Sequence, residues 1–99
     1  MRLTKQQQQA VREEVDRVFG NEARVRLFGS HVDDHSRGGD IDLHIETAGT
    51  PAELLDGELQ LQARLLRRLG ERRIDVVVQA SDAPLRSIDI HARQTGATL

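Results

Sequence analysis

Hydrophobic residues recur at helical spacing in the first twenty positions, where Val11, Val15, Val18 and Phe19 fall on one stripe. Thr4, backed by Gln7 three residues on, has the pattern of a capping box, and Gly20-Asn21 supplies the stop. The spacing predicts a helix whose solvated side includes Gln6 to Gln9. The period then shortens to two. In "ARVRLF", Val25 and Leu27 alternate with Arg24 and Arg26, as in a half-buried strand that ends at Gly29. A polar stretch follows, and then "DIDLHIE" alternates strictly, with Ile41, Leu43 and Ile45 on one face and Asp40, Asp42, His44 and Glu46 on the other. Thr50, Pro51 and Glu53 open a long helix through Leu54, Leu55, Leu59, Leu61, Leu65, Leu66 and Leu69, which Gly70 ends. "RRIDVVVQ" reads as another strand, with Ile74, Val76 and Val78 on one face and Asp75 on the other. Ser81 or Asp82 with Pro84 predicts the start of a last helix carrying Leu85, Ile88 and Ala92. After Gly96 the tail "ATL" has the length of a short edge strand.

This order predicts an α/β (α+β) fold, a small mixed β-sheet of about three to four strands flanked by helices. At 99 residues the chain has room for a single domain, 1–99, with one modest core, so a large substrate must meet a groove or a partner. A formal net charge of -2 gives no broad basic surface, and with no Trp or Tyr and only Phe19 and Phe28 there are no platforms for stacking bases. Generic nucleic-acid binding is therefore not expected. The absence of Cys removes disulfides, thiolate metal sites and cysteine nucleophiles together. No apolar run approaches the ~20 residues that span a bilayer, and the N-terminus lacks an apolar leader. The expectation is a soluble, cytoplasmic protein without a membrane partner.

The chemistry lies in the acids. Asp40 and Asp42 stand two apart on one strand, ~6.6 Å from each other with side chains projecting the same way. With Asp75 they make a carboxylate set that would repel itself unless cations were present, and Mg²⁺ takes such oxygen ligands while leaving positions for phosphate oxygens. Upstream, Gly29 and Ser30 suit a phosphate: glycine admits close backbone approach, and the hydroxyl and following amides are donors.

A Gly-Ser after a strand, a polar spacer, an Asp-x-Asp strand, a long helix and a strand bearing one acid follow one another in this chain. In that order it resembles the minimal nucleotidyltransferases of the DNA polymerase β superfamily, along nearly its whole length. The resemblance implies Gly29 and Ser30 as the triphosphate-binding pair, with Arg37 of Arg37-Gly38 as a displaced phosphate contact. It implies Asp40, Asp42 and Asp75 as catalytic acids and ligands of a two-metal Mg²⁺ site. It also implies a polymerase β-like fold and transfer of a nucleoside monophosphate, AMP from ATP, with release of pyrophosphate. Such minimal proteins act as antitoxins to HEPN-domain toxins, and some adenylylate the toxin on a tyrosine. This chain has no Tyr, so that acceptor would belong to the partner protein.

The alternative is a binding module that neutralises its partner by occlusion, motivated by Asp33 and Asp34, whose charge opposes a triphosphate. A homo-oligomer is compatible with the sequence. His44, on the acidic face, reads as solvent-facing in preference to an orienting role; His31 and His35 read as loop residues, and His91 has no visible partner. Arg64, Arg67, Arg68, Arg72 and Arg73 read as charge at a helix C-terminus.

Overall fold

The computed structural model describes residues 3–28, 41–70 and 73–99. Among them are three helices, α1 (Lys5–Phe19), α2 (Pro51–Leu69) and α3 (Ser87–Thr95), and four strands, β1 (Arg24–Phe28), β2 (Ile41–Thr47), β3 (Ile74–Ala80) and β4 (Ala97–Thr98). The architecture is α+β, an open mixed sheet in the order β3-β2-β1-β4. β1 runs antiparallel to β2 and β4, while β2 and β3 are parallel and joined through α2. Two parallel neighbours need a crossover, and the leucine-rich helix supplies it.

The caps predicted for the first two helices are present. Thr4 Oγ1 accepts from the Gln7 N–H at 3.1 Å while Gln7 Oε1 accepts from the Thr4 N–H at 2.9 Å. Thr50 and Glu53 repeat the exchange at the head of α2. Gly20 and Gly70 end α1 and α2 with φ of 95° and 86°, a region that side chains disfavour.

Strand alternation sorts the side chains. Val25 and Leu27 of β1, Ile41, Leu43 and Ile45 of β2 and Ile74 of β3 face α1 and α2, which add Val11, Val15, Leu61 and Leu65 to one core. Burial of these aliphatic side chains is the main stabilising contribution, about 1.5–3 kcal/mol for each large one. An ionic clamp closes the seam between the two helices: Glu14, itself buried, accepts from Arg68 Nη1 at 2.9 Å and forms an ion pair with Arg64, whose Nε lies 2.9 Å from Glu14 Oε1. The arginine cluster of α2 therefore ties helix to helix besides favouring the helix terminus.

The other face of the sheet departs from the expectation. β1 is covered on both sides, because α3 packs over it, and Arg26 is buried. The last helix begins at Ser87, later than Ser81 or Asp82, and its buried residues are Asp89 and Ala92. Leu85 precedes the helix, and Leu85, Ile88 and Ile90 are exposed. Helix α3 turns a charged residue to the sheet because partners for that charge wait there.

Candidate functional site

The register lines up three rows of side chains across the face that α3 partly covers. Phe28 of β1 pairs with Asp42 of β2, and Asp42 pairs with Asp75 of β3. In the next row Arg26, His44 and Val77 are partners, and in the third Arg24, Glu46 and Gln79. Neighbouring strands lie ~4.8 Å apart, so Asp42 and Asp75 present two carboxylates side by side from adjacent backbones. Asp42 is half-buried and Asp75 exposed. Arg73, at the head of β3, sets its guanidinium Nε 3.6 Å from Asp75 Oδ2.

Of the predicted site residues, the structure brings Asp42 and Asp75 together. Gly29, Ser30, Arg37 and Asp40 lie outside the described residues, as do His31, Asp33, Asp34 and His35. Phe28, which precedes that segment, belongs to the row that holds the two acids, and Ile41, which follows it, is the neighbour of Asp42 along β2. Among the described residues no group of three or more His, Asp or Glu is gathered closely enough to hold a metal ion.

Beside the acids stands a network that periodicity did not reveal. His44 is fully buried, contrary to the solvent-facing reading: its Nε2 lies 2.8 Å from Asp89 Oδ1 of α3, and its Nδ1 lies 3.4 Å from Arg26 Nη1. A guanidinium only donates, so Nδ1 is the acceptor and Nε2 carries the proton given to Asp89. Asp89 accepts as well from the Arg86 backbone N–H at 2.8 Å and from its side-chain Nε at 3.0 Å. Burial pushes the Asp89 carboxyl up, but the Arg86 side chain and backbone, together with His44, outweigh it and hold the group far below the usual carboxylate range. Glu46 completes the set by accepting from Arg26 Nη1 at 3.1 Å and pairing ionically with Arg93, whose Nη2 lies 3.1 Å from the same carboxylate oxygen. Burial raises the Glu46 carboxyl and the arginines lower it further, so the balance stays below its ordinary value.

Phe28 stands between the two groups. Its ring meets His44 edge-on with centroids 6.4 Å apart, and meets His91 of α3 at 6.2 Å. His91, without a visible partner in the sequence, thus lies exposed above an aromatic whose strand neighbour is Asp42. The arrangement is an acidic pair at one end of the face, with a charge-compensated network of His44, Asp89, Arg26 and Glu46 next to it.

Compared with protein-family models and with curated proteins, the chain gives no match. Among the described residues no helix is long and apolar enough to cross a membrane.

Proposed function

We propose that this chain is a Mg²⁺-dependent nucleotidyltransferase that moves a nucleoside monophosphate, AMP from ATP, onto a hydroxyl of a partner protein. The observation that carries the reading is the alignment of Asp42 with Asp75 in the parallel register, in one row with Phe28, the residue that precedes Gly29-Ser30 in the sequence. Carboxylate oxygens on neighbouring strands are the hard donors that Mg²⁺ takes, so the donor set fits the ion. Asp42 and Asp75, with Asp40, would hold it, and the bound ion supplies neutralisation of triphosphate charge.

Gly29, Ser30 and Arg37 bind the triphosphate in this reading. The acceptor hydroxyl oxygen bonds to the α-phosphorus as the bond to pyrophosphate breaks, and Asp75, exposed to an incoming partner, takes the hydroxyl proton. The partner is a HEPN-type toxin that the modification silences, which makes the chain an antitoxin acting in the cytoplasm.

One observation favours a second reading, a module that neutralises its partner by occlusion. Arg73 already stands beside Asp75 and compensates a charge that a metal would otherwise meet. Intact mass of the partner after coexpression separates the two. A gain of AMP units with the natural chain, absent with Asp42→Asn, is the expected result. An unmodified partner that copurifies with both forms would overturn the transferase and leave the occluding module.

A further inference from the structure

The helix α2 carries two apolar stripes, and the core uses one. Leu54, Leu61 and Leu65 are buried, whereas Leu55, Leu59 and Leu66 are 57%, 61% and 41% exposed. With Ala52 and Ala63, also exposed, the second stripe runs 52, 55, 59, 63, 66, in steps of three, four, four and three along the outer flank of the helix. That spacing is the seam of a helix pair.

We propose that this stripe is a self-association surface, on which α2 of a second copy packs antiparallel about a twofold axis through Leu59. The sequence around Leu59 is complementary to its own reverse. Leu59 meets Leu59, Leu55 comes opposite Ala63, and Ala52 comes opposite Leu66, so on either side of the axis a large side chain faces a small one. The charges obey the same symmetry. The first turns of α2 hold Glu53 and Asp56, the last turn holds Arg67, and an antiparallel partner brings each end to its opposite sign.

The neighbouring sheet edge is closed to a competing mode. β3 is the outer strand, and two of its outward carbonyls are taken by side chains: Gln62 Nε2 donates to Ile74 O at 2.9 Å, and Arg86 Nη2 donates to Val78 O at 3.0 Å. An added strand would have to displace both, so helix pairing is the route left open on this side.

The chain contains no cysteine, which makes a single introduced one directly readable. Leu59→Cys under mild oxidation is expected to give a disulfide-linked dimer, while Gln60→Cys, exposed on the far flank of the same turn, stays monomeric. By light scattering at micromolar concentration the natural chain is expected at the mass of two copies, and Leu59→Glu at the mass of one with an unchanged far-ultraviolet spectrum. Leu59 is exposed, so the substitution leaves the core intact. A natural chain that stays monomeric at every concentration, or equal crosslinking through Gln60→Cys, would overturn the proposal, and the former would assign the stripe to a different protein.

Discussion

His44 of β2 and Asp89 of α3, distant in sequence, meet at 2.8 Å with neither side chain exposed. The last helix is thus fastened to the sheet by a buried polar pair rather than by an apolar face. Removing one partner strands the other, at a cost of about 3–5 kcal/mol. Asp89→Ala is therefore expected to lower the urea midpoint sharply, and the double variant with His44→Ala should lose clearly less than the two single losses added together. Additive losses would show that the pair is not coupled.

The same carboxylate sets a pH dependence. In the unfolded chain Asp89 takes up a proton near its ordinary value of 3.8, whereas in the folded chain Arg86 and His44 keep it ionised to much lower pH. The unfolded state then binds more protons, so this contribution is present above pH ~4 and declines as the pH falls further. Glu46 and Glu14, both held low by arginines, act in the same direction. Unfolding midpoints between pH 7 and pH 3 should fall, and fall less steeply in Asp89→Asn.

Asp75 is exposed and its substitution should leave stability within ~0.5 kcal/mol. As the group that takes the acceptor proton, it should matter to transfer. Asp75→Asn is expected to slow AMP incorporation into the partner by at least about a hundredfold. Incorporation at the natural rate would remove Asp75 from the mechanism while leaving Asp42 to be judged on its own.

Gly57 sits in the middle of α2, where alanine would ordinarily gain ~1 kcal/mol. Here a Cβ would run into the ring edge of Phe19, at the end of α1. Gly57→Ala should lower the melting temperature, and Phe19→Leu in the same chain should recover part of the loss by clearing that space. A rise in melting temperature for the single variant would mean that Phe19 yields freely.

Much of this molecule is legible in its sequence because apolar periodicity and capping residues are local signals. The capping boxes at Thr4 and Thr50, the alternation of Ile41, Leu43 and Ile45 and the short edge at Ala97–Thr98 all follow from neighbours a few positions apart. So does the placement of Asp42 and Asp75 off the core face, although their pairing needed the parallel register. The polar underside of α3 was not legible. Leu85, Ile88 and Ala92 suggest one face, but Asp89 holds Arg86 and His44 at once, and that charge complementarity outweighs a weak apolar pattern. Arg26 and His44 look like solvent-facing strand residues until the helix that covers them is known.

The crossover through α2 also orders events in time. Asp42 and Asp75 become neighbours only when β3 docks beside β2, and that contact spans the whole intervening helix. Pairings between residues distant along the chain form slowly, because the loop between them must close first. The hairpin of β1 and β2 needs no such closure around a helix. Without β3 docked beside β2, Asp42 lacks Asp75 as its neighbour, so completion of the sheet and assembly of the acidic pair are one event.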